Sequence, residues 1–275
     1  MVQSDNGVAK PADSAGAEVL YGVAEHVATI QFNCPDRQNT ISGPMLGELS
    51  RLLVAANEDP EVRAIVIAGS GRFFCAGLDL RGGGIAGGLS GGTSPATLDL
   101  RNAPPTVLHA IDKPTICAHN GSSAGYGMDL ALGCDIRIMA AESKMAAAFT
   151  ARGVVPESGG TWLLPRLVGW SKASEIIFTG RTLTAAECLE MGLVSQVVPA
   201  AECLEAAQAL AREIARNAPL AVQASKRMMR IAADETFTDH VHHVYLQLLP
   251  LFRSEDFREG MAAFMEKRKA EFKGR

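Results

Sequence analysis

Between Val19 and Pro199 the chain keeps repeating one local pattern: a short run of aliphatic and β-branched residues, a turn, then a stretch with helical spacing. The clearest run is Arg63-Ala64-Ile65-Val66-Ile67-Ala68-Gly69. No side chain from Ala64 to Ala68 is polar, so both faces of such a strand need cover. His26-Val27-Ala28-Thr29-Ile30-Gln31-Phe32 alternates and reads as a second strand. Thr115 to Ala118 and Asp135 to Met139 read as two more. Between strands, Pro44 to Asn57 sets Leu46, Leu49, Leu52, Leu53 and Ala56 on one helical face, with a proline in the first turn. Strands alternating with helices specify an α/β core.

From Ala200 onward glycine nearly disappears and helix formers dominate. Leu204, Ala207, Leu210, Ala211 and Ile214 form one apolar face; Phe257, Met261, Phe264 and Met265 form another. Such faces must be buried on the core or on another subunit. The division expected is a polar tail over 1–17, an α/β core over 18–199 and a helical, oligomer-forming region over 200–275. A chain of 275 residues has room for this. It holds no uncharged apolar run of 18 residues, so no spanning helix is expected. The start has no apolar segment of the secretory kind. A net charge of −4 gives no basic field for nucleic acid. The six cysteines form no C-x-x-C pair. They are expected to be reduced thiols of a cytoplasmic protein without a metal.

Two turns hold the most chemical promise. Phe73-Phe74-Cys75-Ala76-Gly77-Leu78-Asp79-Leu80 follows the Ile65–Ala68 strand, and Asn120-Gly121-Ser122-Ser123-Ala124-Gly125-Tyr126-Gly127-Met128-Asp129 follows the Thr115 strand. Each joins a strand to small residues and then to a stretch able to start a helix, where backbone amides lack partners. Two such turns side by side would aim two N–H donors at one oxygen. A third segment, Gly153-Val154-Val155-Pro156-Glu157-Ser158-Gly159-Gly160-Thr161-Trp162, sets a carboxylate at a helix start, as a cap or as an acid–base group. The glycine tract over 82–92 is a surface loop or a lid. Gly121-Ser122-Ser123-Ala124-Gly125 also fits a serine nucleophile elbow, although the acid and histidine that follow, Asp239 with His240, His242 and His243, fall on a helical segment. That spacing sends the histidines to different helix faces, a poor metal site. His119 reads as a satisfied structural histidine.

Taken together, and in order, these segments resemble the crotonase (enoyl-CoA hydratase/isomerase) superfamily. Cys34-Pro35-Asp36-Arg37-Gln38-Asn39-Thr40, Cys134-Asp135-Ile136-Arg137-Ile138, Met191-Gly192-Leu193-Val194 and the ending Glu259-Gly260-Met261-Ala262-Ala263-Phe264-Met265-Glu266-Lys267-Arg268-Lys269 belong to the same resemblance. It runs from about Val19 to the C-terminus. The fold it implies is a spiral of β-β-α repeats followed by helices that mediate a homotrimer, or a hexamer of two trimers. The ligand it implies is an acyl-CoA thioester, with coenzyme A carried on the substrate and no separate cofactor.

The resemblance also assigns residues. The backbone N–H groups of Leu78 and Tyr126 match the family's oxyanion hole for the thioester oxygen; most relatives carry glycine where this chain has Tyr126. Ala76, Asp79 and Leu80 flank the first donor, Arg37 and Gln38 match the adenine-lining segment, and Phe264 and Lys267 match residues that reach the nucleotide, often from a neighbouring subunit. The family's hydratases use two glutamates. Asp129 matches the first, and Phe149, seven residues before Pro156, stands at the second. An acid directly after the proline, here Glu157, resembles the Δ3,Δ2-enoyl-CoA isomerases. The expectation is therefore proton transfer by Glu157, with Trp162 and Leu163 partly desolvating it, and with Asp129 as the second catalytic carboxylate where water is added. A non-catalytic acyl-CoA binder and a hydrolase using Ser123 are the competing readings.

Overall fold

The computed structural model describes residues 16–79 and 100–275. Leu80 and the glycine tract over 82–92 lie outside the described residues, as does the tail up to residue 15. Among the described residues, ten strands form two sheets. In chain order they are β1 (Val19–Ala24), β2 (Val27–Phe32), β3 (Ala64–Gly69), β4 (Phe73–Cys75), β5 (Thr115–His119), β6 (Ser122–Ala124), β7 (Ile136–Ala140), β8 (Lys144–Ala146), β9 (Thr182–Thr184) and β10 (Gln196–Val198). The larger sheet runs β1-β2-β3-β5-β7-β10 and the smaller β4-β6-β8-β9. From β2 to β10 the larger sheet is parallel; only the β1–β2 hairpin is antiparallel.

The pairs β3-β4, β5-β6 and β7-β8 each put a long strand in one sheet and a short strand in the other, which makes the spiral. The corners between them stack. A Cβ at Gly121 would sit 2.3 Å from the Arg72 carbonyl oxygen of the corner before, a space only glycine fills. The Asn120 side chain accepts the Gly69 amide at 2.9 Å and ties the same two corners.

Helices cover both faces of the larger sheet. The first six described helices are α1 (Gly43–Glu58), α2 (Pro104–Ala110), α3 (Tyr126–Gly133), α4 (Gly160–Val168), α5 (Trp170–Thr179) and α6 (Ala185–Glu190). They are followed by α7 (Cys203–Ala215), α8 (Pro219–Ile231), α9 (Phe237–Leu251) and α10 (Glu255–Glu266). Strand β3 is buried throughout and is divided by its period of two. Ile65 and Ile67 join the main core with Leu49 and Leu53 of α1, whereas Ala64, Val66 and Ala68 face Ala207 and Ala211 of α7. The first apolar face of the C-terminal region thus folds back on the core. The second does not: Phe264 and Met265 of α10 are 78% and 76% exposed, and α9 buries no residue. Helix α8 is moored by charge, with Arg227 and Arg230 on Asp112 at 2.6 and 3.0 Å and Lys226 on Asp135 at 2.7 Å. No helix among the described residues is long and apolar enough to cross a membrane.

Candidate active site

Two turns of the spiral meet at a cleft of about 440 Å³. One wall is Ala76-Gly77-Leu78-Asp79, which leaves β4 and runs beside Ile41. The Ala76 amide donates to Gln38 O at 3.1 Å, Ile41 donates to Gly77 O at 2.9 Å, and Asp79 donates to Ile41 O at 2.9 Å. Neighbouring amides of extended chain point to opposite sides. The amide between these engaged groups, that of Leu78, has no acceptor among the described residues. Gly77 makes this possible with φ at +104°, because a side chain there would be strained and its Cβ would lie 2.9 Å from Ala124 O.

The second wall is Ala124-Gly125-Tyr126. Tyr126 opens α3 behind Gly125, which has φ 52° and offers no side-chain cap, so the Tyr126 amide, at the helix start, has no acceptor among the described residues. The turns are close neighbours: a Cβ on Gly77 would be 3.8 Å from Tyr126 N. Helix α3 can come so near because Gly127 lies directly on β4, where a Cβ would stand 2.0 Å from Cys75 O. The Tyr126 side chain is buried, and burial drives its phenol pKa upward.

The third wall holds Phe149, Val154 and Glu157. Pro156 and Ser158 are buried on either side of Glu157, which itself stays exposed. Loss of hydration still raises its carboxyl pKa, against a lowering backbone hydrogen bond. The charge of Glu157 in turn raises the pKa values of Tyr126 and Asp129, so the three groups share one neighbourhood.

Asp129 is brought close but does not line the cleft. It is 1% exposed, and its Oδ2 accepts the Ser158 and Gly160 amides, each at 3.2 Å. Burial raises its pKa to about 7, the two amides pull it down, and Glu157 adds to the rise. Arg37, Gln38 and Asp79 line the cleft mouth, where the Arg37 guanidinium also pairs with Glu18. Phe264 and Lys267 are absent from the lining within one chain.

Several expectations change. Trp162 is absent from the cleft lining; it packs on His109, with ring centroids 5.3 Å apart, and carries the Arg166 guanidinium 3.8 Å over its ring. Leu163 is likewise absent from the lining, and Phe149 and Val154 supply the apolar wall. Ser123 does sit 2.8 Å from His119 Nε2, but both are buried in or beside β6, outside the cleft lining. A nucleophile needs access that this serine lacks. Burial lowers the His119 pKa to about 4, which keeps the ring neutral. His240 and His243 both turn to Glu235, and no metal-binding cluster occurs among the described residues.

Thr40, Arg152 and Val154, to which the sequence assigns no role, also line the cleft. Asn39, which the sequence shows only as part of the 34–40 segment, anchors this lip. It is fully buried, bonds Ser70 O and Phe73 O at 2.9 and 2.7 Å, accepts the Cys34 amide at 2.8 Å, and so holds the 34–40 lip against the β3-β4 corner. Its signal was an asparagine in a polar turn, where φ is 53°.

The family model for enoyl-CoA hydratase/isomerase matches residues 22–275. The chain is 36% identical over 266 residues to the 1,2-epoxyphenylacetyl-CoA isomerase of Escherichia coli, covering 94% of this chain and 98% of that one. It is 34% identical to the 2,3-dehydroadipyl-CoA hydratase of the same bacterium, covering 94% and 100%. The crystal structure of an enoyl-CoA hydratase from Bacillus anthracis superposes with a TM-score of 0.85 at 32% identity, over 94% of this chain and 100% of that one. Two stacked corners, two unengaged amides and an adjoining carboxylate thus come with the sequence and the spiral of a known group, and the chain belongs to the enoyl-CoA hydratase/isomerase family of the crotonase superfamily.

Proposed function

We propose that the protein is an enoyl-CoA isomerase that moves a proton between C2 and C4 of a 3-enoyl-CoA thioester, with Glu157 as the single acid–base group. The Glu157 carboxylate takes the C2 proton, the electron pair spreads over a dienolate, and the same carboxyl returns the proton at C4. Substrate and product differ only in the place of the double bond. Charge develops on the thioester oxygen, and the Leu78 and Tyr126 amides are the donors suited to it; loss of one such donor costs about 100- to 1,000-fold in rate.

The observation that carries this reading is the pairing of Glu157 in the cleft with Phe149 beside it, at the position where a hydratase-like second glutamate is expected. One relative is named as an isomerase and another as a hydratase. Hydration is the second reading, favoured by the electrostatic coupling of Asp129 to Glu157, but it needs work from a carboxylate that is 1% exposed. A purely binding role leaves Glu157 without a task.

The test is Glu157→Gln, assayed with 3-hexenoyl-CoA for isomerisation and with crotonyl-CoA for hydration. Isomerisation is expected to fall at least ~100-fold with binding retained. An unmodified rate in this variant sinks the proposal, and crotonyl-CoA hydration faster than isomerisation in the natural enzyme turns it to the second reading. Arg37, Gln38, Ala76, Asp79 and Leu80 are the proposed coenzyme A contacts. Phe264 and Lys267 would join them from a neighbouring subunit of a homotrimer or hexamer, for which the bare apolar face of α10 is the support. Sedimentation at a multiple of three chains is the expected outcome, and a monomer refutes that part. We propose a cytoplasmic enzyme of fatty-acid or related acyl-CoA metabolism.

A further inference from the structure

The backbone that carries Glu157 is gripped from behind by one buried side chain. Pro156, Ser158 and Gly160 are buried while Glu157 emerges, so the position of its carboxylate is set by how the 156–160 segment is fixed. Gly159 caps α4 and has no side chain with which to satisfy the first amides of that helix. Asp129 takes that role from another element. Its Oδ2 accepts Ser158 N, which belongs to the Glu157–Ser158 peptide bond, and also Gly160 N, both at 3.2 Å. Its Oδ1 lies against Gly160, where a Cβ would be 2.1 Å away. A carboxylate at a helix N-terminus is further favoured by the helix dipole. Asp129 stands three residues after Tyr126 on α3. The helix whose first amide faces the thioester oxygen therefore also holds the peptide of the base.

We propose that Asp129 is a positioning residue, which fixes Glu157 against the oxyanion donors by accepting the Ser158 and Gly160 amides, and which exchanges no proton with the substrate. This rests on the reading of Glu157 as the base. The coupling is rigid because both ends are buried. A displacement of about 1 Å at a reacting group can cost on the order of 100-fold in rate.

Three variants test it with 3-hexenoyl-CoA. Asp129→Asn keeps an oxygen for both amides but has no carboxyl proton. Asp129→Leu removes the acceptor at similar volume. Gly160→Ala keeps the carboxylate and wedges a methyl group against it. Positioning predicts that Asn retains at least about a tenth of kcat, while Leu and Gly160→Ala each lose about 100-fold, all with KM within about threefold. The same order is expected for exchange of the C2 proton into deuterium oxide. Asparagine as inactive as leucine would mean that the carboxyl itself moves protons. A leucine or Gly160→Ala variant with unmodified kcat would mean that the grip is idle, and either result overturns the inference. Should the leucine variant fail to fold, Asn and Gly160→Ala decide alone. Glu157→Gln in parallel keeps the two claims apart: full activity there removes the base, whereas its inactivity beside an inactive Asp129→Asn removes only the positioning role.

Discussion

Gly127→Ala is a one-carbon change that should disable the enzyme without touching a functional group. Gly127 lies in α3, one residue after the Tyr126 donor, and its Cα rests on the backbone of β4. An added Cβ would meet Cys75 O at 2.0 Å and Cys75 Cβ at 2.8 Å, whereas ordinary contact begins at 3.4 Å. Helix and strand must therefore part by more than an ångström, and β4 leads within three residues to Leu78. The movement opens the gap between the two amides, and a misplacement of about 1 Å costs on the order of 100-fold in rate. Overpacking of this kind costs about 1–3 kcal/mol. At roughly 2–4 °C per kcal/mol for a chain of this size, Tm should fall by about 2–12 °C and leave a folded protein at 25 °C. The assay is kcat for 3-hexenoyl-CoA beside a thermal melt. A variant that melts lower but turns over at the unmodified rate would refute the idea that the α3–β4 contact sets the spacing of the donors.

Three further outcomes are expected. Because burial raises the Glu157 pKa, the acid limb of kcat/KM should lie above the ordinary glutamate value of 4.5, with activity rising as pH rises and the base ionises; a limb at or below that value contradicts Glu157 as the base. Asp129 has a folded pKa of about 7 against 3.8 for an unperturbed aspartate, so between these values the folded state holds the extra proton and stability declines as pH rises. The Tm of Asp129→Asn should accordingly show a flatter profile over that window, and parallel curves for the two proteins exclude the shift. Gly47 is exposed within α1 and a Cβ there would meet nothing within 4 Å, so Gly47→Ala should add about 0.5–1 kcal/mol and leave kcat unchanged, as a calorimetric melt can check.

The long strands were legible because β3 and β5 are short apolar runs bracketed by turn residues, and that pattern is local. Strands β4, β6, β8 and β9 are three residues each, too short to show a period, and Ser122-Ser123-Ala124 reads as a turn until a neighbouring strand supplies its hydrogen bonds. The same limit applies at the site. Glu157, Leu78 and Tyr126 stand out because each follows glycine or proline in a segment resembling a known family. The grip of Asp129 joins residues 29 and 31 positions apart, and no spacing along the chain announces it. On α7 the apolar face predicted burial on the core correctly; on α10 a similar face stays bare, because the pattern states that a surface needs cover and not where the cover comes from.

In the proposed mechanism the donors at Leu78 and Tyr126 are peptide groups, and this divides each of those residues into two inheritances. The N–H is common to every amino acid except proline, while the side chain is free to vary as a wall of the cavity. Exchanging tyrosine at 126 for a smaller residue would enlarge the chamber and leave the polar contact in place. A catalyst built as proposed can accept acyl groups of different girth while its electrostatic centre stays constant, and the chain's own tyrosine is one such choice of wall.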